Sequence, residues 1–371
     1  MEELNFMDYF SDLPDPRLDR GKKHKLLDVI GLTVVGVLSG CECWGEIELY
    51  AREKEEDFKT IFELPNGIPS HDTLERVFSR LSAPAFQKCF YNWANSLRKK
   101  SGRDLIAIDG KSLNGSDDGK DNLSLLHAWS VDSGIVIGAV ECNKGGGEVP
   151  KIPELIQDLE LKDCVVTVDA GNARSSVAKA IKNKGADYIM IVKKNEKSLH
   201  KKLENIFSGN FPDKFESTDE ENTELNRGRV EFRRCVVASA KQFDHLNIFS
   251  RWPGLNSIGY VEHVRVNKDS SSLNVRFFIS SLDESAIEHQ QYIREHWQVE
   301  NKLHWVLDVA FGEDANRVRN KTGAKHLALI RRMSMGLLKS AKEKEKYSYR
   351  ALRKRCGWSF EYCKQVLLGE I

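Results

Sequence analysis

Two short apolar runs limit what this chain can fold into. LIAIDGK, starting at Leu105, and CVVTVDA, starting at Cys164, are built of β-branched and apolar residues that lead straight into an Asp. Runs of this length and composition read as buried strands. LHAWSV and GIVIGAVEC form a hairpin around Asp132, Ser133 and Gly134. KIPELIQDLEL precedes the second run as a short helix. SSVAKAIKNKG follows it as another, with Gly185 as a left-handed cap, and DYIMIVKK is a further strand. The order strand, hairpin, helix, strand, helix, strand predicts an α/β fold, a mixed sheet covered by helices. A strand that ends in a carboxylate places it at the rim of the sheet, where ligands and metals reach it. Asp109 and Asp169 are therefore candidate site residues. The bland alternative for either one alone is a turn or cap residue.

The flanks read differently. Residues 1–100 form a helical unit: an apolar helix from Leu26 to Ser39, an amphipathic one from Trp44 to Phe58, and the turn-like stretch LPNGIPS. Ser70 or Asp72 then caps a helix carrying Leu74, Val77, Phe78 and Leu81. Pro84 opens another, with Phe86, Phe90 and Trp93 at helical spacing. The short turn between these two helices fits a DNA-binding helix-turn-helix, and equally a plain helical hairpin. Residues 101–200 hold the first part of the α/β core. Residues 201–282 read as a β-rich insertion made of RGRVEFRRCVVAS, NSIGYVEHVRV and SLNVRFFISSL. Residues 283–371 are helical. A long helix begins after Asp283, with Ile287, Ile293, Trp297, Glu300, Leu303, Leu307 and Ala310 three or four apart.

Net charge is +1, which by itself argues against a nucleic-acid partner. Its distribution does not. Residues 315–356 carry fourteen Lys or Arg against two Glu, a local balance of +12 that leaves −11 for the remainder. Such polarisation makes a local anion-binding surface, or else a solvated charged tail. The eight cysteines contain no CxxC pair, against a zinc ribbon and in keeping with reduced thiols. The acidic N-terminus lacks the pattern of a signal peptide. The apolar run from Leu26 to Gly40 is too short to span a bilayer.

Two strand-end aspartates and one helix glutamate, Glu300, have the chemistry to hold divalent cations for phosphodiester work. A phosphodiester is already negative and resists nucleophiles. Two cations about 3.5–4 Å apart activate the attacking oxygen and stabilise the leaving one. Hard cations such as Mg²⁺ prefer oxygen ligands, and carboxylates so close together repel without them. In this reading Asp109 bridges the two ions, Asp169 completes one site and Glu300 the other. His296, Glu300 and His304 also lie four apart on one helix face, a spacing that can bind zinc, but the HExxH pattern is absent. His296 could instead contact a phosphate, and His304 could be a core residue.

The stretches PDPRLDRGKKHKLLDVI, NGIPSHDTLERVFSRL, IAIDGKSL, VVTVDA, GADYIMIVKKN, GRVEFRR, RWPGL, FFISSL, HWQVENKLHWVLDVAFGEDANRVR and ALIRRMSMGLLK span nearly the whole chain. Together they resemble bacterial insertion-sequence transposases of the DDE class, in particular the H-repeat-associated group of the ribonuclease H-like superfamily. The resemblance implies a ribonuclease H-like core interrupted by a β-rich insertion before the catalytic Glu. It implies cleavage and strand transfer at transposon ends with two Mg²⁺ ions, for which Mn²⁺ can substitute. The implied partners are double-stranded DNA, as terminal inverted repeats and target, and a second copy in a homodimer on DNA, with no membrane. The implied location is the cytoplasm, on the nucleoid when DNA-bound. Asp109, Asp169 and Glu300 take the catalytic and metal-binding places. DNA contacts are expected from Lys111, Lys193, Arg294, His296, Lys302, Arg317, Arg319, Arg331 and Arg332, and from Trp252 as a base-stacking aromatic in the insertion.

The chain also departs from the group. His296 stands where related enzymes have Arg, and Leu307 where they have Lys. Asn114 replaces an Arg, Arg174 and Glu196 each replace a Gln, and Arg227-Gly228-Arg229 replaces a His-Gly-Arg run. These departures keep open a domesticated DNA-binding role, and a stand-alone two-metal nuclease is the third reading.

Overall fold

Local sequence dictates most elements of the computed structural model, which describes residues 6–98, 103–113, 123–142, 147–209, 215–217, 224–226, 229–246, 249–266 and 271–371. The first five helices are α1 (Leu26–Leu38), α2 (Trp44–Glu53), α3 (Glu55–Phe58), α4 (His71–Arg80) and α5 (Ala83–Leu97). Then come β1 (Leu105–Leu113), β2 (Leu123–Ser130), β3 (Ile135–Cys142), α6 (Glu148–Gln157), β4 (Val165–Val168), α7 (Ser175–Asn183), β5 (Asp187–Val192) and α8 (Lys197–Ser208). Strands β6 (Glu216–Ser217), β7 (Glu224–Asn226), β8 (Arg229–Ser239), β9 (Ser257–Val266) and β10 (Ser271–Ser280) follow. The chain ends with α9 (Ala286–His296), α10 (Trp305–Phe311), α11 (Lys321–Leu337), α12 (Lys339–Glu345), α13 (Tyr349–Trp358) and α14 (Phe360–Leu368). The fold class is α/β.

The chain forms two compact units that interleave in sequence. One comprises Met1–Lys99, Gly110–Gly145 and Glu300–Ile371; the other comprises Lys100–Asp109 and Gly146–Val299.

In the first unit α11 is the central helix and packs against α1, α4, α5 and β3. Its flanks are apolar on every side, so nearly all of its side chains are buried. Ser70 caps α4 by accepting from Thr73 N, and Ser82 caps α5. The amphipathic stretch expected from Trp44 to Phe58 is broken at Lys54 into α2 and α3. β2 and β3 pair as the expected antiparallel hairpin, with Gly134 at φ +63° in its turn.

In the second unit β1 pairs with β4 and β4 with β5, all parallel. β10 then pairs antiparallel with β5, and β9, β8 and β6 continue the order, with β7 also on β8. The strands read as an insertion thus extend the core sheet of this unit. The physical reason lies in their burial: β10 is exposed from Ser271 to Val275, while Phe278, Ile279 and Ser280, beside β5, are buried. Helix α9 packs against β4, β5 and β8 and starts with a capping box between Ser285 and Glu288.

Candidate active site

Ile108 of β1 stands opposite Val168 of β4 in the parallel register. Asp109 and Asp169 are the next residues on these two neighbouring strands. Both are half-buried. Asp169 ends its strand, with extended backbone before the turn Ala170–Asn172. Asp109 does not: β1 runs through it to Leu113, so the sequence expectation of a strand end at Asp109 is corrected. Gly110, Lys111 and Ser112 continue the strand. Neighbouring strands lie about 4.8 Å apart, so the two backbones carry their carboxylates at one level of the sheet. Two hard oxygen donors at one level of a sheet fit a divalent metal.

Glu300 belongs to the first unit. The single long helix expected after Asp283 is interrupted: α9 ends at His296, and Val299–His304 is a π-helical turn before α10. π-Turns are rare and concentrate at functional sites. The Glu300 side chain is 55% exposed and that of His304 9%, with Glu300 Oε2 and His304 Nδ1 3.8 Å apart. Behind His304 stands the His127 ring, with centroids 5.8 Å apart. His127 Nε2 accepts from Arg332 Nε at 2.8 Å. Arg332 in turn grips Glu313 with two nitrogens, at 2.6 and 3.0 Å, with both side chains fully buried. Burial alone would raise the Glu313 carboxyl; the Arg332 guanidinium outweighs it and holds the group below the usual range.

Several residues expected on DNA are placed elsewhere. Arg332 is consumed by Glu313, and Arg331 is buried and donates to the Glu42 carbonyl. Lys111 is buried and bonds Asp308 at 2.7 Å. His296 is buried and bonds Thr167 Oγ1 through Nδ1 at 2.8 Å. Desolvation pushes its pKa down to about 4, so it is neutral and brings no charge to a phosphate. Trp252 is 5% exposed, a core ring rather than a stacking platform. Each correction has one cause: burial claims the side chain before any ligand can. Lys193, Arg294, Lys302, Arg317 and Arg319 remain exposed. The Glu313–Arg332 pair went unread in the sequence. The signal was there, since Ala328, Leu329, Ile330, Met333 and Met335 surround the Arg pair with apolar residues on all faces of one helix.

A family profile described as "Transposase DDE domain" matches residues 100–337. The chain belongs to this family. A second profile, "DDE_Tnp_1-associated", matches residues 7–94. Over 373 residues the chain is 35% identical to "Putative transposase YncI" of Escherichia coli O157:H7, covering 99% of this chain and 95% of that one. It is 33% identical to "H repeat-associated putative transposase YhhI" of Escherichia coli K12, covering 100% and 99% respectively. A piggyBac transposase, solved in a synaptic complex with hairpin DNA, aligns with 98% of this chain and 76% of its own at 10% identity and a TM-score of 0.43, a likeness too slight to argue from.

Among DDE transposases, the departures at Arg174 and Glu196 are explained by each other. Arg174 Nη1 stands 3.3 Å from Glu196 Oε1, so the two residues form an ion pair within the second unit. Asn114, Arg227 and Gly228 lie outside the described residues. Leu307 is fully buried on α10, where a Lys would be desolvated.

Proposed function

We propose that this DDE transposase cleaves DNA at transposon ends and joins it to target by Mg²⁺-dependent cut-and-paste transposition. The observation that carries the reading is the pair Asp109 and Asp169 at one level of two parallel strands. Asp109 and Asp169 hold metal, and Glu300, on the π-turn, completes the set. The donor chemistry supports this, since carboxylate oxygens are the hard donors that such cations take. When bound, two divalent cations lower the pKa of the attacking water or 3′-hydroxyl and neutralise charge on the leaving oxygen. The chain's own residues do the rest. Glu300 projects from a half-open turn toward solvent, where a DNA strand has access. The exposed Lys193, Arg294, Lys302, Arg317 and Arg319 contact phosphates, and two copies of the chain hold the paired ends. The protein works in the cytoplasm on nucleoid DNA; among the described residues no helix is long and apolar enough to cross a membrane.

The test is Mg²⁺-dependent cleavage of DNA carrying the element's terminal inverted repeats. Asp109→Asn, Asp169→Asn and Glu300→Gln should each lower the cleavage rate by at least about 100-fold, since loss of a mere supporting contact costs 10–100-fold. Cleavage that persists in Asp109→Asn removes that residue from the site. Hydrolysis with no strand-transfer product would instead make the chain a nuclease. The Arg174–Glu196 exchange is internal and gives no support to a role without catalysis.

A further inference from the structure

We infer that His304 is a metal ligand through Nδ1, beside Glu300, so that the site carries one imidazole donor and favours Mn²⁺ and its first-row neighbours over Mg²⁺. The inference rests on the metal-dependent reading above and specifies its donor set.

Glu300 Oε2 and His304 Nδ1 are 3.8 Å apart, too far for a hydrogen bond. Ligands of about 2.1 Å length bound to one ion stand roughly 3–3.5 Å from each other. The two atoms are thus a few tenths of an ångström from sharing a cation, a closure that rotation of the exposed Glu300 side chain supplies. The imidazole is the fixed partner. It is buried, and the His127 ring lies behind it. Because Arg332 Nε donates to His127 Nε2, that nitrogen is an acceptor and the His127 ring is neutral. Arg332 is itself locked by the fully buried Glu313 carboxylate. Glu313, Arg332 and His127 thus form a fixed wall against which the His304 ring packs. The π-turn Val299–His304 carries both donors in one segment, so local chain geometry sets their separation. Nitrogen ligands suit the first-row transition metals, whereas Mg²⁺ prefers an all-oxygen shell.

The experiment uses the full-length protein and Mn²⁺ alone as the probe. Affinity is measured by titration, and ligand identity by electron spin echo modulation from nitrogen coupled to the bound ion. Nitrogen modulation is expected in the wild type and should vanish in both His304→Gln and His304→Asp. Mn²⁺ affinity should fall at least tenfold in His304→Gln, and the preference for Mn²⁺ over Mg²⁺ should shrink in His304→Asp. Bound Mn²⁺ without nitrogen coupling in the wild type overturns the inference while leaving a carboxylate-only metal site intact. Coupling that survives in a folded His304 variant assigns the nitrogen elsewhere and also overturns it. A wild-type protein that binds no Mn²⁺ removes the metal-dependent reading itself. The wild-type spectrum decides even where one variant fails to fold, and the second variant carries the assignment.

Discussion

Arg332 and Glu313 show what a charged residue becomes when a helix is apolar all round. Neither side chain has any exposed surface, and their two-nitrogen contact at 2.6 and 3.0 Å satisfies both charges. Removing one partner of a buried pair leaves the other uncompensated, at a cost of about 3–5 kcal/mol. Arg332→Met should therefore lower unfolding stability by about that amount in urea denaturation. The double variant with Glu313→Gln should recover part of the loss, because no lone charge is left buried. A single variant within about 0.5 kcal/mol of wild type would show that the pair is solvated in solution. Arg331 and Arg332 look like a DNA surface in the sequence, because their residue type points outward while their burial is visible only in the fold. The acids fared differently. Asp109 and Asp169 stand out because each follows a run that reads as a buried strand, although a turn or cap would explain either one alone. The spacing of His304 from Glu300 is visible in the sequence, but nothing there shows that His127, some 180 positions earlier, backs its ring.

Elements were legible where periodicity is local and illegible where pairing is distant. The N-terminal helices apart from the break between α2 and α3, the β2–β3 hairpin and the α6–β4–α7–β5 succession follow from spacing, caps and turns. The π-turn at Glu300 did not, because the apolar spacing of Ile293, Trp297, Leu303 and Leu307 fits a continuous helix almost equally well. Nor did the place of β8, β9 and β10, whose alternation says strand but not which strand lies alongside. That decision is made by contacts such as Phe277 opposite Val192, between segments far apart in sequence. Gly259 on β9 shows how tightly the result is set. It lies between Val237 of β8 and Phe278 of β10, and a Cβ there would stand 2.4 Å from the Val236 carbonyl oxygen and from the Phe278 ring. The carbonyl belongs to the ladder and cannot retreat without breaking it. Gly259→Ala should thus destabilise by about 1–3 kcal/mol or more, as overpacked sites do. Thermal denaturation that leaves the midpoint unchanged would mean the strands sit farther apart than described.

For the molecule as a whole, the question is where the +12 balance of residues 315–356 is spent. The fold takes a large share inward. Arg331, Arg332 and Arg353 are buried and Lys325 pairs with Glu141, while the two acids already subtracted, Glu343 and Glu345, pair with Lys339 and Arg355. Arg317, Arg319, Lys321, Lys344, Lys346, Arg350 and Lys354 stay exposed. Net charge therefore understates the field outside the protein, and raw counts of basic residues overstate it. Each phosphate neutralised on duplex DNA releases condensed counterions and adds about 0.9 to the slope of log affinity against log salt. Replacing Arg317 and Arg319 together by Ser should flatten that slope by roughly 1–2 units and weaken binding to all sequences alike. Replacing Arg332 should leave the slope of the folded protein unchanged, whatever it does to stability. Fluorescence anisotropy of labelled duplex at several salt concentrations separates the two. A slope that responds to Arg332 and ignores Arg317 and Arg319 would mean the buried cluster opens on DNA, and that the exposed arginines are only a solvated face.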